Sequence, residues 1–193
     1  GICNKIISSN DPRVSYLFGD GAAAVLLGKS DIPHILSHYE FSNYTYSYLY
    51  NAIDFIHIAG THSDKISDNQ ECFNLYKMGN WKEAQDFILH ALNHTMQVLL
   101  KNAHCSFDEI DLFLITENNR QQWDSIVNYL HIPNNKTISL LKQQGNTLTA
   151  NLPMLLSKSY KSHFFGPSQK ILMLSLGEGI CGGGCIYKTQ DDL

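Results

Sequence analysis

The sequence predicts an α/β layered fold, a mixed sheet covered by helices, and three observations lead there. Helical and strand-like segments alternate along the second half of the chain. The unbroken apolar run Leu112-Phe113-Leu114-Ile115 reads as a buried strand. A strand, Gly-acid-Gly, strand pattern occurs twice, near opposite ends of the chain. That separation excludes a solenoid period and suits a duplicated architecture in which each half closes with a similar hairpin.

The elements follow in order. Tyr16-Leu17-Phe18, Gly19-Asp20-Gly21 and the apolar run 22–27 predict the first hairpin, buried. Segments 39–50 and 54–58 carry strand-forming residues with little regular alternation. Within the first of these, Tyr44, Tyr46, Tyr48 and Tyr50 alternate as on a strand, a face suited to a sheet or dimer contact or, alternatively, to stacked bases or sugars. Over 81–103 the positions Ala84, Phe87, Ile88, Ala91, Leu92, Val98 and Leu99 recur at three- and four-residue steps and predict one long amphipathic helix. Ser106-Phe107-Asp108-Glu109 is a capped turn leading into a strand over 111–116. Trp123, Ile126, Val127 and Leu130 predict a helix over about 119–130, which His131-Ile132-Pro133 breaks. Residues 137–140 predict a short strand, and Gln144-Gly145-Asn146-Thr147 opens a helix through Leu155 and Leu156. Leu174-Ser175-Leu176, Gly177-Glu178-Gly179 and Cys185-Ile186-Tyr187 form the second hairpin.

Composition narrows the function classes. The chain has 193 residues, 44% hydrophobic and 17% charged, enough apolar content for one globular core and too much for a disordered tail. With 14 Lys+Arg against 18 Asp+Glu, no strong positive field draws in nucleic acid. The apolar runs 22–27 and 171–174 fall far short of the ~20 residues that cross a bilayer, so no membrane span is expected. The first residue is Gly1, consistent with a fragment or a tag scar, and no secretory signal is visible. Five cysteines without a C-x-x-C pair fit a reducing, cytoplasmic compartment, in which the sequons at Asn43, Asn93 and Asn135 are chance. His90 and His94, four apart on the long helix, could chelate zinc with His104 or Cys105, although the same spacing suits polar edge residues, and no metal site is expected. Cys181-Gly-Gly-Gly-Cys185 reads as a redox or metal pair or, better, as a closely packed glycine hairpin.

Three stretches together resemble the β-ketoacyl-[acyl-carrier-protein] synthase III family of the thiolase fold: Phe18-Gly19-Asp20-Gly21-Ala22, Gly145-Asn146-Thr147, and the glycine-rich run from Gly177 to Gly184. The resemblance implies a thiolase-like layered fold of which this chain is the second half, with 1–29 the closing hairpin of the first half, 30–80 a connecting region and 81–193 the C-terminal half. It implies an acyltransferase working on acyl-CoA or acyl carrier protein thioesters, needing no cofactor, as a homo- or hetero-dimer.

By the same resemblance Asn146 stands at the catalytic Asn, its NH2 able to donate to an enolate oxygen as charge develops there. Thr116 stands where the family carries its catalytic His. Gly177, Glu178 and Gly179 stand at the turn whose backbone N–H completes an oxyanion hole, and Glu178 brings a negative charge there. The family's nucleophilic Cys belongs to the first half, and none of the five cysteines here matches it. A threonine cannot carry imidazolium charge, and loss of one oxyanion donor costs about 10²–10³ in rate, so the chain alone is expected to be inactive. Glu117 is either a base in a related acyl transfer or a solvated surface residue. Arg120 and Lys142 are either contacts for an acidic carrier or a coenzyme phosphate or exposed surface charges. The other functional reading is a non-catalytic pseudoenzyme subunit supporting a thiolase-fold partner.

Overall fold

A computed structural model describes residues 16–43, 81–177 and 180–191, the side chains of 81–83 excepted. Among the described residues, four strands form one mixed sheet: β1 (Ile35–Ser42), β2 (Leu112–Ile115), β3 (Lys170–Gly177) and β4 (Cys181–Lys188), in the order β1-β4-β3-β2. β3 and β4 form an antiparallel hairpin, β1 lies antiparallel to β4, and β2 lies parallel to β3. Among the described residues, four α-helices accompany the sheet: α1 (Trp81–Asn102), α2 (Arg120–Tyr129), the single turn α3 (Leu141–Gln144) and α4 (Asn151–Lys161).

β2 explains why the sheet is covered on both sides. Alternate residues of a strand face opposite ways. Phe113 and Ile115 join the core cluster that holds Ile88, Leu92 and Leu99 of α1 and Ile126 of α2. Leu112 and Leu114 join a second cluster with Leu140, Ile171 and Leu155 of α4. All four β2 residues are buried, so the strand reads as an unbroken apolar run instead of an alternating one.

The glycines of β4 are dictated by close packing. A Cβ on Gly182 would lie 2.6 Å from the Ser175 carbonyl oxygen and 2.7 Å from Phe41, and one on Gly183 would lie 2.6 Å from the Tyr39 carbonyl oxygen. Cys181 and Cys185 sit four residues apart on this one strand, roughly 13 Å at strand rise, too far for a disulfide. Neither is in a disulfide, and burial pushes the Cys185 thiol up. The hairpin reading of this stretch holds and the pair reading does not.

Several expectations are corrected. The run 22–27 is not a buried hairpin strand: residues 22–30 are exposed and belong to no strand, with Leu26 98% and Leu27 83% exposed. Among the described residues, Phe18 of this region bridges to Asn146 and no strand pairs with 22–27, and without such partners an apolar segment has no ladder in which to be buried. Over 137–140 the strand reduces to one parallel bridge between Thr137 and Phe113. Here the Thr137 hydroxyl donates to the Phe113 carbonyl, and Leu140 serves as the N-cap of α3. The helix expected to open at 144–147 begins at Asn151, after a 3-10 turn over Leu148–Ala150. The tyrosine alternation over 44–50 and segment 54–58 lie outside the described residues. Among the described residues, no helix is long and apolar enough to cross a membrane.

Candidate functional site

The site is assembled at the carboxyl end of β2. Two consecutive residues there reach in different directions. The Thr116 hydroxyl accepts from the Leu176 N–H at 2.8 Å, one residue before Gly177, and the Thr116 N–H donates to the Leu174 carbonyl at 3.0 Å. Glu117 is 1% exposed, and its carboxylate accepts from the Leu140 N–H at 3.0 and 3.1 Å and from Asn151 Nδ2 at 3.1 Å. Its own N–H donates to Asn151 Oδ1 at 3.0 Å. One strand end thus holds both the β3 end and the segment between Leu140 and Asn151. Because β2 and β3 run parallel, their carboxyl ends lie at the same end of the sheet, where open α/β sheets place their ligands.

Asn146 lies inside the second loop and is 5% exposed. Its N–H donates to the Leu17 carbonyl at 2.9 Å, and its carbonyl accepts from the Gly19 N–H at 3.0 Å. The side-chain oxygen accepts from the Leu148 N–H at 2.8 Å, which fixes the orientation of the carboxamide. Gly145 just before it has φ 65°, ψ −166°, a conformation essentially confined to glycine. A Cβ on Gly145 would come within 3.0 Å of the Leu17 carbonyl oxygen, and one on Gly19 would overlap the Gln144 carbonyl. The conjunction of the Gly-Asp-Gly and Gly-Asn-Thr motifs is therefore a close backbone crossing. Thr147 is fully buried with its Oγ1 unpartnered, and its Cβ would stand 2.9 Å from a Cβ on Gly21.

The remaining candidates sort cleanly. Glu117 is buried and hydrogen-bonded, which corrects its reading as a solvated surface residue. Arg120 is exposed, paired with Asp124 at 2.9 Å and stacked over Trp123 at 5.1 Å. Lys142 is exposed on α3. Glu178 and Gly179 lie outside the described residues. His90 bonds the Tyr129 hydroxyl at 3.0 Å and His94 meets the Tyr39 ring edge-on, and among the described residues no cluster of three or more His, Cys, Asp or Glu could hold a metal. Burial raises the Cys105 thiol above its ordinary range. Sequence reasoning missed Asn151 and Leu140. The signal for Asn151 was an amide residue two positions before Pro153 at the start of an apolar helix.

With this geometry in place, solved structures define the fold. The 3-oxoacyl-[acyl-carrier-protein] synthase III of Aquifex aeolicus VF5 superposes with TM-score 0.75 at 21% identity, covering 96% of this chain and 55% of that one. The priming β-ketosynthase of the R1128 polyketide pathway gives TM-score 0.78 at 21% identity over 98% of this chain and 55% of its own. The fold is thiolase-like. Sequence comparison then gives the family: residues 100–189 match the family described as 3-oxoacyl-[acyl-carrier-protein] synthase III C terminal, and this stretch is a C-terminal domain of that family. The β-ketoacyl-[acyl-carrier-protein] synthase III of Thermosynechococcus vestitus is 28% identical over 189 residues, 98% of this chain and 57% of that protein. That of Porphyra umbilicalis is 28% identical over 196 residues, 97% of this chain and 57% of its own. The chain spans a little over half the length of the curated relatives it matches.

Proposed function

We propose that the chain is the C-terminal portion of a synthase III-like acyltransferase of fatty-acid or polyketide-type biosynthesis, acting on CoA or carrier-protein thioesters. In this reading the Asn146 NH2 donates to the thioester enolate oxygen during decarboxylative condensation, and the stretch 177–179 supplies a backbone N–H to the acyl oxyanion. The nucleophilic cysteine comes from a complementary half. The observation that carries the reading is the convergence of the Asn146 loop and the Gly177 strand on the end of β2 through Thr116 and Glu117. Two further features favour a complementary half: the exposed apolar residues Val25, Leu26 and Leu27, and the orphaned Thr147 hydroxyl beside Gly21.

A second reading, a non-catalytic subunit, is favoured by Thr116. Its hydroxyl is committed to the Leu176 N–H, and it offers no imidazole in the position of the family His. The test combines the chain with the upstream portion of the Thermosynechococcus vestitus relative, acyl-CoA and malonyl carrier protein. The acyltransferase reading expects condensation only when both parts are present, and a loss of about 10²–10³ on Asn146→Ala. A complex that forms without turnover, and turns over once Thr116→His is introduced, establishes the second reading instead.

A further inference from the structure

We propose that Glu117 is a positioning residue for Asn146, and that Asn151 is the partner that orients it. The inference rests on the reading above insofar as Asn146 acts on substrate.

A single carboxylate gathers the two ends of the segment that presents Asn146. Leu140 and Asn151 bracket this segment, and both donate to Glu117, one through its backbone N–H and the other through Nδ2. The return bond from the Glu117 N–H to Asn151 Oδ1 makes the pairing reciprocal and determines which end of the Asn151 carboxamide faces the carboxylate. Within the bracket, Gly145 adopts its glycine-only conformation and Leu148 adopts a left-handed one at φ 53°. Such conformations persist where the surroundings over-determine them. The Leu148 N–H is the group that holds the Asn146 side-chain oxygen, so a loop free to relax at Leu148 releases the carboxamide. Neighbouring Thr116 holds the β3 end, and the two residues therefore set the spacing between the Asn146 loop and the Gly177 turn.

The chemistry of the pair supplies the test. In Glu117→Gln the new side chain keeps one oxygen for the Leu140 N–H but turns an NH2 toward Asn151 Nδ2, donor against donor. In Asn151→Asp two carboxylates face each other. The swap E117Q/N151D restores the pairing between the two side chains with one oxygen still facing the Leu140 N–H, because the carboxylate now at position 151 accepts both from the side-chain NH2 now at position 117 and from the backbone N–H of that same position. The readouts on the full chain are amide hydrogen exchange at Leu148 and the side-chain NH2 resonances of Asn146, with β3 amides and the Trp123 indole as distant reporters.

Either single variant should speed Leu148 exchange by about tenfold or more and shift the Asn146 NH2 signals, leaving the distant reporters unchanged, and the swap should return both to within about twofold of the parent. Equal acceleration at Leu148 and across β3 means that the pair only stabilises the fold, and overturns the proposal. So does a swap that fails to restore Leu148. Where the single variants do not fold, the swap alone decides: parent-like Leu148 exchange supports positioning, and an unfolded or fast-exchanging swap refutes it. In the completed enzyme Glu117→Gln should lower kcat with little change in KM. Absence of any turnover alongside the expected exchange pattern refutes the acyltransferase reading and leaves the positioning role standing.

Discussion

Replacing Gly145 by alanine probes the backbone crossing on which the Asn146 loop depends. The residue sits at φ 65°, ψ −166°, where an L side chain costs about 1–3 kcal/mol in strain. The added Cβ also meets the Leu17 carbonyl oxygen at 3.0 Å, the Gly19 nitrogen at 3.1 Å and the Phe18 carbonyl carbon at 3.2 Å. These are backbone atoms of the paired segment and cannot rotate away, so overpacking adds about 1–3 kcal/mol. The sum, about 2–6 kcal/mol, corresponds to a Tm lower by roughly 4–24 °C for a chain of this size. Gly166→Ala is the control. Nothing lies within 4 Å of a Cβ there and φ is not positive, so it should stabilise by about 0.4–1 kcal/mol through the unfolded chain. Urea denaturation of both variants reads the difference. A Gly145→Ala variant within about 0.5 kcal/mol of the parent would show that the loop does not cross the 17–19 segment as described.

Three further outcomes follow from single interactions. Thr116→Val keeps the side-chain shape but strands the Leu176 N–H, and should cost about 1–3 kcal/mol with faster amide exchange at Leu176. α1, α2 and α4 each end with an exposed histidine in the left-handed region, His104, His131 and His163, where the next N–H bonds back to the last turn. Glycine at each should therefore raise stability by roughly 0.5–1 kcal/mol in denaturation experiments. The Lys170 ammonium, bonded to Glu109 at 2.7 Å, together with the Ser106 N–H, lowers the Glu109 pKa from 4.5 to about 2. A carboxylate depressed on folding stabilises above its unfolded value, and that contribution is lost as pH falls through about 2. Lys170→Met should move the Glu109 titration, followed by NMR, back toward the ordinary range.

The legible parts of this fold were those whose apolar pattern records which faces of an element are covered. The amphipathic period of α1 and the unbroken run of β2 both follow from which faces are covered, and helices on both sides of the sheet supply that cover. The 22–27 run carried the same apolar signal and failed, because a strand needs a ladder as well as hydrophobicity, and nothing among the described residues pairs with it. The position of α4 was read too early because Gly145, Asn146 and Thr147 serve a backbone crossing and a 3-10 turn before the helix starts. Asn146 was singled out through its Gly-Asn-Thr context. Glu117 was visible as an acid but its burial was not, since its partners Leu140 and Asn151 are distant in sequence and give no spacing signal.

The central claim is that this chain presents one side of a thioester site and takes its nucleophile from elsewhere. Intact-protein mass measurement after incubation with acyl-CoA tests it most directly. No acyl adduct is expected on Cys3, Cys72, Cys105, Cys181 or Cys185, with labelling appearing only on the complementary half once that half is added. Stoichiometric thioester formation on any of these five cysteines contradicts the account.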